Sequence, residues 1–269
     1  MVTSSGKKIE ISVIIPNYQS ERYLEKNLRS VFEKIGSLAE TEIILVNNDE
    51  EERLESIEKS FGSVQIIDHG ENIGFGAAIN LGAKKARGRY LFFLNPDCEI
   101  IAGDARQIID LFESDKNIGI LGCQLIGEDS QIQKWSAGTE VAILNLVRNN
   151  LGFPSSRKIW KKENKTRANW VAGTAMFIRK AFFDDLGGLD EKFFMYFEDV
   201  DLCKRAEEAG KKIYFFPPFS VRHFGGGSYE DKKNQKKHYY DSQRYYFKKH
   251  SGKVSYCFLS ILQRVFGLK

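Results

Sequence analysis

The stretch Arg89-Tyr90-Leu91-Phe92-Phe93-Leu94-Asn95-Pro96-Asp97 decides how this chain is read. Leu91 to Leu94 are bulky and apolar without polar alternation, the pattern of a strand buried on both faces, as in the middle of a parallel sheet. Pro96 cannot donate to a ladder and pushes Asn95 toward extended geometry, so the chain leaves the strand there. Asp97 is thereby carried out at a strand's carboxyl end, where open α/β sheets bind ligands.

Working outward, the preceding segments alternate in type. Ile11-Ser12-Val13-Ile14-Ile15-Pro16 reads as a first strand, followed by a helix in which Tyr23, Leu24, Leu28, Val31, Phe32 and Ile35 recur at helical spacing, with Ser20 to cap it and Gly36 to stop it. Glu42 to Val46 is a second buried strand, Glu50 to Ser60 an acidic surface helix, and Val64 to Ile67 a third strand. Ile73-Gly74-Phe75-Gly76-Ala77-Ala78-Ile79-Asn80 opens a further helix with residues small enough for close backbone approach. This order predicts an α/β chain with a Rossmann-like, doubly wound, mostly parallel sheet. A helix after Gly103 and a strand near Ile118 continue it. From about Gly127 to Arg167 the period is lost, as in a mobile insertion on the active-site side. Trp170 to Arg179 restores a strand, and Gly187-Gly188 makes a turn before the aromatic run at Phe193.

The composition is that of a globular protein: 42% of the 269 residues are hydrophobic, enough for a full core. A net charge of +4 is too mild to argue for a nucleic-acid partner, and none is expected. Cys98, Cys123, Cys203 and Cys257 have no paired spacing, which argues against a disulfide framework or zinc site and fits the cytoplasm. The first ten residues lack a signal peptide's apolar core, and no apolar run approaches the roughly 18 residues of a membrane span.

A second acidic feature is Glu198-Asp199-Val200-Asp201. On a helix Asp199 shares a stripe with Leu202, Cys203 and Ala206 and points inward, whereas Glu198 and Asp201 lie on the Arg205 stripe, where Asp201 and Arg205 can pair. Asp199 alone has no surface explanation; the helix dipole favours its ionised form, which suits a general base, although an N-capping carboxylate is the plain alternative. Asp97 suits Mg²⁺ or Mn²⁺, with substrate phosphates completing the shell.

Asn95-Pro96-Asp97 resembles the DXD element, and Glu198-Asp199 the ED motif, of nucleotide-sugar transferases with the GT-A fold. Together with Ser12 to Tyr18, Glu71 to Gly76, Arg87 to Tyr90, Phe193 to Arg205 and His223-Phe224-Gly225-Gly226, they make the chain similar to glycosyltransferase family 2, rhamnosyltransferase-like branch. The resemblance implies inverting transfer of a sugar, rhamnose or another deoxyhexose, from a nucleoside-diphosphate sugar to a glycan or lipid-linked glycan acceptor in envelope polysaccharide or glycolipid assembly. In that comparison Asp97 holds Mg²⁺ or Mn²⁺, with His223 as a second ligand, and Asp199, beside Glu198, deprotonates the acceptor. The donor site implied comprises Pro16, Asn17, Tyr18, Asn47, Asn48, Asn72, Gly74, Phe75, Asn80, Asn95 and Asp97; Trp170, Gly173 and Thr174 line the acceptor side. Asn47 stands where the family usually has Asp, and an amide can still bond a pyrimidine edge, with a different donor and acceptor pattern. A nucleotide-sugar-binding protein without catalysis is the alternative.

The halves form one domain over residues 1–253, with the nucleotide half ending near Gly122. An amphipathic tail follows at 254–269, where Val254, Phe258, Ile261, Leu262, Val265 and Leu268 recur at helical spacing behind a lysine-rich, aromatic stretch. Such a tail suits an anionic membrane surface at the inner face, or packing on the domain.

Overall fold

The computed structural model describes residues 8–51, 54–150, 154–225 and 232–265. In chain order, strand β1 (Ile11–Asn17) is followed by α1 (Glu21–Val31), which ends in a π-turn at Phe32–Gly36, then β2 (Thr41–Asn47), α2 (Glu55–Ser60), β3 (Val64–Asp68) and α3 (Phe75–Lys85). Strands β4 (Tyr90–Leu94) and β5 (Cys98–Ala102) flank the Asn95-Pro96-Asp97 turn, and α4 (Ala105–Ser114) and β6 (Ile118–Ile126) complete the first half. The second half contains β7 (Ala137–Gly138), α5 (Ile143–Asn150), α6 (Arg157–Trp160), β8 (Thr166–Ala168), β9 (Trp170–Val171), β10 (Ala175–Arg179) and α7 (Lys180–Asp185). It closes with α8 (Glu198–Glu208), β11 (Lys212–His223), α9 (Lys232–His250) and α10 (Gly252–Val265).

The main sheet runs β3-β2-β1-β4-β10-β6-β11-β5, with β8 also on β11. Strands β3, β2, β1 and β4 are mutually parallel, whereas β10 enters antiparallel between β4 and β6. β4 is central and buried at every residue, as its sequence predicts, but only its β1 neighbour is parallel. Tyr90, Phe92 and Leu94 enter the core under α1 and α4, and Leu91 and Phe93 the core under α3 and α8. Close packing of α3 is possible because Gly82 has no Cβ: one would stand 2.5 Å from Ile14 Cγ2.

Two features escape pattern reading. β5 returns the chain to the sheet directly after Asp97, and β11 is kinked: its register shifts between Phe216 and Ser220, at Pro217-Pro218, which cannot donate to a ladder. The bent end of β11 thereby pairs with β5, setting His223 opposite Cys98. The segment expected to be a mobile insertion holds β7, α5, α6 and β8, tied by contacts with no sequence period: Trp160 Nε1 donates to the Ala137 carbonyl at 2.6 Å, and Thr139 Oγ1 and Ser155 Oγ are 2.6 Å apart. Ser20 occupies the N-cap position of α1, but its hydroxyl donates to the Tyr18 carbonyl and does not cap the helix.

The C-terminal helices form a hairpin. α9 buries Tyr246 and Phe247 with Phe193, Phe197, Val200 and Leu259 in a third apolar cluster, to which α5 adds Ile143 and Leu146. α10 folds back through Leu259 and through Gln263, whose amide donates to Gln243 at 2.7 Å. Val254, Phe258 and Ile261 remain exposed. Of the expected tail stripe, Leu268 lies outside the described residues, as do the side chains of Leu262 and Val265.

Candidate active site

The turn carrying Asp97 is fixed on three sides. Asn27, fully buried on the inner face of α1, donates through Nδ2 to the carbonyls of Asn95 and Cys98, both at 2.9 Å. Asn95 N–H donates to the Thr174 carbonyl at 2.9 Å, and Phe224 N–H to the Asp97 carbonyl at 3.0 Å. Ser30, one turn along α1 from Asn27, receives Ile100 N–H at 3.0 Å and so secures β5. Asn27 and Ser30 are polar residues inside an otherwise apolar helix stripe; that irregularity was their signal in the sequence, and the periodicity reading passed over it.

His223 Nε2 lies 3.4 Å from Asp97 Oδ1. Its Nδ1 is 2.9 Å from Gln133 Oε1, a contact that orients the ring with Nε2 toward the carboxylate. This is how a histidine is oriented for a metal, with its second nitrogen held by a neighbouring acceptor. Cys98 Sγ shares the cluster, but burial and the Asp97 charge push its thiol well up, so it stays protonated. A carboxylate and an imidazole, with Asn95 Oδ1 buried and unpartnered close by in sequence, fit Mn²⁺ or Mg²⁺. Gly226, the last residue of that motif, lies outside the described residues.

The second carboxylate reaches the first through two adjacent residues. Gly173 N–H donates to Asp199 Oδ2 at 2.8 Å, and Thr174, the next residue, accepts from Asn95. Phe75 joins this junction: a Cβ on Gly173 would stand 3.3 Å from both the Phe75 ring and Asp199 Cβ. The expected acceptor-side residues Gly173 and Thr174 therefore connect the two acidic turns. Trp170 is half-buried, donates from Nε1 to the Thr139 carbonyl at 3.0 Å and packs on Gly138, which is the role of a structural indole.

Asp199 is aimed by strain. Tyr196 and Phe197 both take left-handed backbone, φ 70° and 66°, which costs on the order of 1–2 kcal/mol each for residues with a Cβ. They are held there from two sides. Ser242 on α9 donates to the Met195 carbonyl at 2.8 Å and Gln235 to the Tyr196 hydroxyl at 2.7 Å, while Phe75 N–H donates to the Phe194 carbonyl at 3.1 Å. Gly74 permits that approach, since a Cβ there would meet the Phe194 oxygen at 2.5 Å.

The sequence reading of Glu198 and Asp201 as surface carboxylates is corrected: both are buried. Asp201 receives Arg205 Nε, Lys249 Nζ and His250 Nε2, each at 2.7 Å; burial raises its pKa, and these partners outweigh that and bring it down to about 2. Glu198 Oε2 is buried and unpartnered, and burial with the neighbouring Asp199 charge pushes its pKa well up. Burial also raises Asp199, against which the Gly173 and Val200 N–H groups pull it back. The dipole argument from sequence is thus outweighed by burial, and Glu198 is the member of the pair that keeps a proton.

At the first strand ends the expected donor residues divide. Asn17, Asn47 and Asn48 are buried, Pro16 belongs to β1 and Tyr18 is partly exposed. Asn72 receives Gly74 N–H at 3.0 Å and shapes the entry to α3. Asn80, expected among donor-binding residues, instead clamps the Gly188-Leu189 turn, receiving Leu189 N–H and donating to its carbonyl and to Glu191. The Asn47 amide is also fully engaged: it accepts from Asn17 Nδ2 and Asp49 N–H and donates to the Asp49 carbonyl and Asp68 Oδ1.

Comparison with known proteins identifies the family and the fold. The model of the family described as glycosyl transferase family 2 matches residues 12–186. The chain is 26% identical over 208 residues to the low-salt glycan biosynthesis hexosyltransferase Agl10 of Haloferax volcanii, covering 76% of this chain and 64% of that one. It is 26% identical over 223 residues to the rhamnosyltransferase WbbL of Escherichia coli, covering 80% and 83%, and 23% identical over 233 residues to an N-acetylglucosaminyl-diphospho-decaprenol L-rhamnosyltransferase of Mycobacterium tuberculosis, covering 79% and 75%. Among solved structures, GalNAc-T7 with UDP, GalNAc and Mn²⁺ superposes with a TM-score of 0.64 at 20% identity, over 90% of this chain and 50% of that one. The fold is that of GT-A glycosyltransferases.

Proposed function

The chain belongs to glycosyl transferase family 2, and from that premise we propose that it transfers a sugar from a nucleoside diphosphate to an acceptor hydroxyl with inversion at the anomeric carbon. The observation that carries this reading is the Gly173-Thr174 dipeptide, which bonds Asp199 on one side and the Asn95-Pro96-Asp97 turn on the other. A nucleotide holder needs only the second of these carboxylates.

Asp199, ionised, takes the proton of the acceptor hydroxyl as its oxygen attacks the anomeric carbon. The bond from that carbon to the diphosphate breaks, and its electron pair leaves on the diphosphate. Asp97 and His223 are the residues that would hold Mg²⁺ or Mn²⁺, which when bound would neutralise charge on the leaving diphosphate. Glu198, protonated, keeps a second negative charge away from Asp199. The relatives' names favour rhamnose or another deoxyhexose as the sugar and a lipid-linked glycan as the acceptor, in polysaccharide or glycolipid assembly.

No described helix is long and apolar enough to cross a membrane. The exposed Val254, Phe258 and Ile261 on α10, beside the exposed Lys248 and Lys253, fit peripheral contact with an anionic inner leaflet bearing the acceptor. Cys257 is exposed on this helix while Cys98, Cys123 and Cys203 are buried, so a polarity-sensitive label will report from it selectively. A blue shift on adding anionic vesicles is expected; an unchanged spectrum would remove the membrane contact.

Donor binding, which the proposal requires, is tested by a thermal-shift screen of nucleoside diphosphates and their sugars with and without Mn²⁺, and transfer by release of nucleoside diphosphate from the sugar so selected. Stabilisation by at least one nucleotide family, greater with Mn²⁺, is expected. A flat response to all of them would exclude the proposal.

A further inference from the structure

Asn47 and Asp68 end the parallel strands β2 and β3 in direct register. Asp49 N–H, which can only donate, fixes the amide orientation: the Asn47 oxygen faces it at 3.3 Å, so the nitrogen faces Asp68 Oδ1 at 3.2 Å. Both hydrogens and both acceptor positions of this amide are used within the protein, so Asn47 has nothing left for a nucleobase edge. Asp68, by contrast, is exposed, and Asn47 holds one of its oxygens. A second observation marks the same strand ends: Asn48 is 3% exposed and its Oδ1 has no partner.

We infer that Asp68, held by Asn47, is the carboxylate that receives the nucleoside half of the donor, accepting from ribose hydroxyls or the base's ring N–H. The inference rests on the transferase reading above. Open α/β sheets bind their ligands outside the carboxyl ends of the parallel strands, and Asp68 is the acidic group that β3 presents there. It also accounts for an amide at position 47. A carboxylate in that place would face Asp68 at about 3 Å, and two such groups do not both ionise near neutral pH. The amide makes the contact a hydrogen bond donated to Asp68. Asn47 is therefore a positioning residue and Asp68 the group that touches the nucleoside.

The test is Asp68→Asn in the full chain, an exposed substitution that leaves the fold in place, titrated in the presence of Mn²⁺ with UDP, GDP and CDP and with inorganic pyrophosphate. Nucleotide affinity is expected to fall about tenfold while pyrophosphate affinity is unchanged, because only the nucleoside end is altered. A fall for UDP but not CDP, whose base lacks a ring N–H, assigns the contact to the base; an equal fall for UDP, CDP and GDP, whose nucleosides share only the ribose, assigns it to ribose. Unchanged nucleotide affinity, or an equal loss for nucleotide and pyrophosphate, overturns the inference. If the unaltered chain binds pyrophosphate but no nucleotide, the transferase reading itself fails, and this inference with it.

Discussion

The two acidic turns are built by opposite means. The Asp97 turn is unstrained and is held through its backbone, by the Asn27 side-chain amide, the Thr174 carbonyl and the Phe224 N–H, within the sheet and its first helix. The Asp199 turn is strained at Tyr196 and Phe197 and depends on α9, some forty residues further on, for the contacts that maintain it. A group that anchors an ion benefits from a rigid cradle. A group that must take a proton benefits from a dry and adjustable environment, which the aromatic cluster provides.

The sharpest way to break this comparison is at the base. Asp199→Asn is expected to lower turnover by about 10²–10⁴, read as nucleoside diphosphate released by transfer or slow hydrolysis, with donor affinity nearly unchanged. Asp97→Ala should do the reverse, reducing Mn²⁺-dependent nucleotide affinity by roughly 100-fold, measured by calorimetry. Asn27→Leu keeps the branching of the side chain and removes the two hydrogen bonds to the turn; about a tenfold loss of Mn²⁺ affinity is expected, with donor affinity in the absence of metal unaffected.

Two weaker effects sharpen the contrast. Asp201 has its pKa near 2 in the folded chain and near 3.9 when unfolded, so its contribution to stability is complete above about pH 5 and is lost as pH falls through 2. Urea unfolding across that window should show it, and Asp201→Asn should flatten it. Glu198→Gln, which mimics the protonated acid, should change turnover at pH 7 by less than about threefold. A fall comparable with that of Asp199→Asn would move the base to Glu198.

The difference between the turns also explains what could be read from the sequence. β4 and its ending were legible because a buried strand and a proline act locally, and Asp97 followed from them. Asp199 was legible through its inward stripe, but the burial of Glu198 and Asp201 was not, since it depends on Lys249 and His250 arriving from α9. β5 was hidden because its partner, the bent end of β11, lies over a hundred residues away. The bonding of Asn47 was hidden for a related reason: a type of side chain shows what it could bond, and only the registers with β1 and β3 show that Asn17 and Asp68 already use it.

The central claim is that Asp97 serves donor binding and Asp199 serves chemistry, and one calorimetric series tests it most directly. The nucleoside diphosphate selected by the screen is titrated with Mn²⁺ into the unaltered chain, Asp97→Ala and Asp199→Asn. Affinity should collapse in Asp97→Ala and remain within about twofold in Asp199→Asn, as expected of a group used only in the transition state. Equal affinity in all three, or a collapse in Asp199→Asn alone, would contradict the division of labour between the two carboxylates.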